Sequence, residues 1–169
     1  MRLTRVRGTA TAAVITSLVA CAATLIAIVA LTGCGLTIPS DPSGTLDRVE
    51  GEVLRAGASL DPGAVDREGA RATGEIAARI EGFAREHDAR VEWVFGSEET
   101  LVRLLESAAL DVVIGGMTAD TLWSASVGVS RSYPGLTTQG GRELVFLVPM
   151  GENRLLAELE TYFDTQVTP

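Results

Sequence analysis

The N-terminal stretch constrains this chain more than any later feature. Met1–Arg7 carries three positive charges, on Arg2, Arg5 and Arg7, and then no charged residue occurs from Gly8 to Gly33. Runs such as Ala12-Ala13-Val14-Ile15 and Leu25-Ile26-Ala27-Ile28-Val29-Ala30-Leu31 make this a positive n-region followed by an apolar h-region. About twenty apolar residues suffice to cross a bilayer, and this stretch is longer. It is therefore set aside from the fold. The rest of the 169 residues is enough for one domain with one core.

The stretch ends in Leu31-Thr32-Gly33-Cys34, which resembles the lipobox of bacterial lipoproteins: an aliphatic residue, two small residues, then the Cys that receives a diacylglyceryl group. The resemblance implies a signal peptide over residues 1–33 and a membrane-bound lipid on Cys34. An uncleaved transmembrane anchor is the rival reading, and both place the body outside the membrane. Leu18-Val19-Ala20-Cys21 also fits the tetrapeptide, but cleavage there leaves an apolar tail from Ala22 to Leu31. Residues 34–50, with Pro39, Pro42, Gly44 and two serines, Ser40 and Ser43, read as a flexible tether, and residues 51–169 as the folded body.

Removing the three N-terminal Arg takes the formal charge from −8 to −11. An acidic body argues against nucleic acid as a partner and against electrostatic adhesion to anionic lipid. With Cys21 removed and Cys34 lipidated, no thiol remains for a disulfide, so stability rests on the core. His87 is the single histidine. A metal site needs several converging ligands, so no metal, no cofactor and no catalytic constellation is expected.

Along the body, short apolar runs alternate with helical periodicity, the pattern of an α/β domain. Val53–Ala58 reads as the first strand. Residues 69–87, with Ile76, Ile80, Phe83 and Ala84 on one stripe, read as an amphipathic helix. Arg90–Phe95 alternates like a strand, and Ser97 then offers an N-cap with Glu98 and Glu99 in the first turn. Val112-Val113-Ile114, followed by Gly115-Gly116, suits a strand buried on both faces of a parallel sheet. Glu143–Val148 reads as another strand, and Leu155, Leu156, Leu159 and Phe163 as a closing helix. The glutamates at 98–99, 158 and 160 read as solvated helix faces.

Four segments carry a further resemblance. Gly51–Gly57, Phe83–Glu86, Leu105–Thr118 (Leu-Glu-Ser-Ala-Ala-Leu-Asp-Val-Val-Ile-Gly-Gly-Met-Thr) and Ser130-Arg131-Ser132-Tyr133 resemble, in order, the first lobe of family 3 extracellular solute-binding proteins, the amino-acid-binding components of ABC importers. The resemblance implies a single three-layer α/β lobe with a mostly parallel sheet and flanking helices. In that family a second lobe is inserted after the Ser-x-x-Tyr segment. Here only Pro134 to Arg142 separates Tyr133 from the returning strand at Glu143, so the second lobe is absent.

Carried over residue by residue, the resemblance assigns ligand contacts to Gly116 and Thr118, just past the carboxyl end of a strand. Ser59 falls where an aspartate usually follows the first strand, and Trp123 where the family has a carboxylate-binding Arg; Arg131 is nearby in sequence but not in place. Gly115-Gly116 serves either a ligand approach or a tight turn, and Trp123 either packs or stacks on a ligand. The partners implied are a small solute such as an amino acid, the membrane through the N-terminal lipid, an ABC permease or another envelope protein, and a second copy that completes the open wall. A protein-interaction module of the envelope with a degenerate ligand site is the alternative function.

Overall fold

The computed structural model describes residues 41–166. The signal peptide expected over residues 1–33, Cys34 and the front of the expected tether lie outside the described residues. The sheet is built on β1 (Val53–Ala58). It pairs in parallel with β4 (Arg90–Phe95), from Val53 opposite Arg90 to Ala58 opposite Phe95, and on its other side with β5 (Val112–Ile114). β7 (Leu147–Pro149) returns antiparallel to β5, and β6 (Val127–Val129) pairs antiparallel with β7 at the edge. The order β4-β1-β5-β7-β6 is a mostly parallel sheet with one reversed strand.

Helices cover both faces, as a buried parallel sheet requires. On one face Leu54, Ala56, Val112 and Ile114 pack with Ile76, Ile80 and Phe83 of α2 (Glu75–Glu86) and with Leu155, Leu159 and Phe163 of α4 (Asn153–Gln166). On the other, Val113 and Leu147 meet Leu101, Val102 and Leu105 of α3 (Glu98–Glu106). Each such side chain removed from water contributes about 1.5–3 kcal/mol. Phe163 also lies 5.0 Å from the Phe146 ring and 5.1 Å from that of Tyr133. Gly57 sets the depth of the second layer, because a Cβ there would stand 2.8 Å from Leu110 Cδ1 and from Val113 Cγ2. Ser97 caps α3, its hydroxyl accepting from the Thr100 amide at 3.4 Å, as its position in sequence predicts.

Three segments differ from the sequence reading. The helix expected over 69–87 begins only at Glu75. Ahead of it β2 (Asp66–Glu68) and β3 (Arg71–Thr73) form a small hairpin turned at Gly69. Gly74 ends that hairpin at φ 110°, and its missing Cβ leaves room for the Ala64 carbonyl, 2.3 Å from where the carbon would lie. Helical spacing over 69–73 loses to this turn. The strand expected over 143–148 is hydrogen-bonded as a strand only from Leu147. Its front half bonds to loops instead, Leu144 N to Leu136 O and Val145 N to Met117 O. Finally, Thr45–Val49, read as tether, forms a one-turn helix, α1, that buries Leu46 and Val49 in the core.

A buried carboxylate fixes the amino end of β5. Asp111 is 1% exposed and accepts from the Arg55 amide at 2.8 Å, from Arg55 Nε at 3.1 Å and Nη2 at 2.5 Å, and from Arg48 Nη2 of α1. Arg48 also donates to the Val53 carbonyl at 3.3 Å. The Leu-Asp-Val-Val-Ile run therefore begins with a clamp that joins α1, β1 and β5.

Candidate functional site

Strands β1, β4 and β5 all end at one edge of the sheet, and the loops leaving them converge there. Open α/β sheets place ligands at this edge. The loop after β1 brings Leu60 and Asp61, the start of α3 brings Glu98, and the loop after β5 brings Gly116, Thr118 and Trp123. A cavity of about 360 Å³ is lined by Asp61, Glu98, Gly116, Gln139 and Arg142 among others. A neighbouring one of about 300 Å³ shares Glu98, Gly116 and Arg142 and adds Thr118, Asp120 and Trp123. Together they form one open cleft within the size range of small-molecule sites.

Neither Gly115 nor Gly116 adopts a positive φ, and the room left by their missing Cβ atoms is filled by the chain itself. A Cβ on Gly115 would meet Ser59 Cβ at 2.9 Å, and one on Gly116 would meet Asp61 Oδ2 at 2.8 Å. Ser59 thus packs behind the floor, its amide bonded to the Ile114 carbonyl at 2.9 Å. The carboxylate expected at this place comes from Asp61, two residues further along. The Asp61-Pro62-Gly63 turn makes this possible, with the Asp61 amide donating to the Val65 carbonyl at 3.0 Å.

Thr118 is almost fully buried, and its hydroxyl donates to Asp120 while accepting from Arg142 Nη1 at 3.3 Å. That hydroxyl, then the residue's own backbone amide and last the Arg142 charge hold the Asp120 carboxyl below the usual carboxylate range. Trp123 sits on a 3-10 turn (Leu122–Ala125). It is partly buried against the α3 layer while also lining the cleft, and its Nε1 points to Glu98 Oε2 at 3.5 Å. Glu98 is therefore drawn into the cleft and is not merely a solvated helix residue. Arg131 is turned away, its amide donating to Glu160 Oε1 at 2.8 Å and its guanidinium to Asp164. His87 follows α2 and precedes β4, at the opposite edge of the sheet.

The structure thus brings together Gly116, Thr118 and Trp123 of the four candidate ligand residues. It adds Asp61, Glu98 and Arg142. Asp61 was signalled only by its turn, and Arg142 by nothing more than following Gly140-Gly141.

No protein-family model matches the chain, and no curated protein sequence does. Solved structures do match. A single-substitution form of domain 1 from TmArgBP, arginine-bound, aligns with a TM-score of 0.61 at 22% identity, over 72% of this chain and 97% of that one. The arginine-bound form of truncated ArgBP from T. maritima aligns with a TM-score of 0.58 at 13% identity, over 72% of this chain and 98% of that one. The ancestral amino acid-binding protein AncCDT-1, described as a precursor of cyclohexadienyl dehydratase, aligns with a TM-score of 0.62 at 15% identity, over 72% of this chain and 92% of that one. The described residues have the fold of a single periplasmic-binding-protein-like lobe, as the four sequence segments imply.

Proposed function

We propose that this chain is an extracytoplasmic, membrane-anchored lobe that binds a small amino-acid-type solute in the cleft at the carboxyl ends of β1, β4 and β5, for delivery to an ABC-type permease. The observation that carries this reading is the convergence of Asp61 and Thr118 on two adjoining cavities at that edge that share Gly116 and Arg142. The fold it shares with the arginine-bound domain 1 supports it, as does the lipobox-like Leu-Thr-Gly-Cys34 for anchoring outside the cytoplasmic membrane. Binding rather than catalysis is favoured because the solved structures that share this fold are described as amino-acid-binding proteins.

The test is thermal unfolding of the full chain in detergent against a panel of L-amino acids. A ligand present at a hundred times its Kd stabilises the folded state by about 2.7 kcal/mol, a shift of several degrees. A panel that moves the midpoint nowhere sinks the proposal.

One observation favours a second reading, an envelope interaction module. Leu122 is 92% exposed and Leu60 is 53% exposed, and both stand on the rim of the cleft. Exposed apolar side chains on one rim suit a protein counterpart, whether a permease, another envelope protein or a second copy. Sedimentation of the full chain, wild type against Leu122→Ser, separates these: a concentration-dependent dimer that Leu122→Ser dissolves makes the counterpart a second copy.

A further inference from the structure

The segment that stands where a second lobe would be inserted is itself part of the cleft. Thr137 and Glu143 form a bridge, the Thr138 amide donates to the Arg142 carbonyl at 2.9 Å, and the Gly141 amide donates to the Thr138 carbonyl at 2.9 Å. The result is a tight hairpin with Gly141 at φ 74°. Its base is pinned, because Leu136 and Leu144 are each 2% exposed and bonded to one another through their backbones at 2.8 Å. Its tip leans across to the loop after β1: a Cβ on Gly63 would fall 3.0 Å from Gln139 Nε2. The hairpin is a short wall facing Asp61, Glu98 and Gly116.

That wall carries the one cation among the described residues that line the cleft. Arg142 lines both cavities, whereas the carboxylates facing them are those of Asp61, Glu98 and Asp120. Its side chain makes one hydrogen bond among the described residues, from Nη1 to the Thr118 hydroxyl, leaving Nε and Nη2 with donors to spare. A guanidinium with two free N–H groups is matched to a carboxylate, which it grips in a bidentate pair. Three carboxylates around a single guanidinium match a ligand that carries one carboxylate and a net positive charge.

We propose that Arg142, presented by the Thr137–Glu143 hairpin, is the carboxylate anchor of the cleft, and that Asp61 and Glu98 take the ligand's cationic groups, which makes the ligand class a basic α-amino acid. The hairpin does locally what a second lobe does elsewhere, giving the solute a second side to touch. This assignment rests on the solute-binding reading above and adds to it a residue, a wall and a ligand charge.

The experiment is calorimetric titration of the full chain in detergent with L-arginine and with agmatine, which is arginine without its carboxylate, for wild type, Arg142→Gln and Arg142→Lys. Wild type is expected to bind arginine at least about tenfold more tightly than agmatine, the discrimination one charge-assisted pair provides. Arg142→Gln is expected to lose that preference while holding agmatine as wild type does, and Arg142→Lys to lie between. If wild type binds arginine and Arg142→Gln binds it equally well, or loses both ligands alike, Arg142 is not the anchor and the solute-binding reading stands without it. If wild type binds neither these ligands nor any amino acid of the panel, both proposals fall together.

Discussion

Asp111→Asn is expected to destabilise the lobe without touching the cleft. Four donors converge on the Asp111 carboxylate, three from Arg55 and one from Arg48. Asparagine keeps one acceptor oxygen and turns an N–H₂ group toward guanidinium and amide donors, so two of the four bonds are lost and repulsion replaces them. Removing one member of a fully buried ion pair costs about 3–5 kcal/mol. The guanidinium groups here are 33% and 35% exposed and regain water, which brings the cost to about 2–3 kcal/mol. For a fold of this size that lowers Tm by about 8–12 °C. Thermal unfolding followed by circular dichroism at pH 7, on the full chain in detergent, reads the shift directly. A loss under about 2 °C would refute the reasoning, because it would mean the clamp joining α1, β1 and β5 carries no net stability. Unchanged stability with weakened ligand binding would be worse still, since it would put the functional edge at the wrong end of the sheet.

Two further predictions concern the front of the lobe and the proposed lipid anchor. Burial first, then the hydrogen bond and negative charge of Glu152, push the Asp41 carboxyl up from 3.8 to about 6. Burial is also the largest influence on Glu152, but its neighbours, foremost Asp41, hold its carboxyl below the usual range, so of the two Asp41 is the one that keeps its proton to higher pH. A carboxyl whose pKa rises on folding stabilises the fold fully below about 4 and loses that contribution as pH rises through about 6. The wild-type unfolding free energy should therefore fall relative to that of Asp41→Asn between pH 4 and pH 6.5, by about 1 kcal/mol after solvent screening; parallel profiles for the two proteins would dismiss the raised Asp41 carboxyl. For the anchor, bacterial cells expressing the chain should incorporate labelled palmitate into it, and Cys34→Ala should abolish the label. An unlabelled wild-type protein that still sediments with membranes would favour the uncleaved span.

The parts of this fold legible in the sequence are those where one physical signal acts alone. Val112-Val113-Ile114 reads as a strand buried on both faces because nothing polar interrupts it, and Ser97-Glu98-Glu99 reads as a helix start because cap and dipole agree. The misread parts are places where tertiary neighbours decide between two adequate local patterns. Residues 69–73 fit a helical stripe, yet Gly74 at positive φ against the Ala64 carbonyl makes them a hairpin. Leu46 and Val49 are apolar residues in a Pro- and Gly-rich setting, and only the open flank beside β1 and α4 draws them inward. The site divides in the same way. Gly116 and Thr118 follow a strand directly and keep their register, whereas Asp61 and Arg142 reach the cleft through turns whose direction is set by what they pack against.

The hairpin also bears on what kind of binder this lobe can be. A two-lobe protein spends part of its interaction energy on hinge closure and reports occupancy to its permease through that motion. Here the second wall is pinned to the same core as the floor, through Leu136 and Leu144, so it is formed before the ligand arrives and binding orders little backbone. Such a site gains by not having to close, and it forfeits full enclosure, since the cleft stays open on the side where Leu122 is exposed. On the proposed solute-binding reading, a permease would recognise the occupied cleft itself, ligand and rim together, rather than a hinge closure.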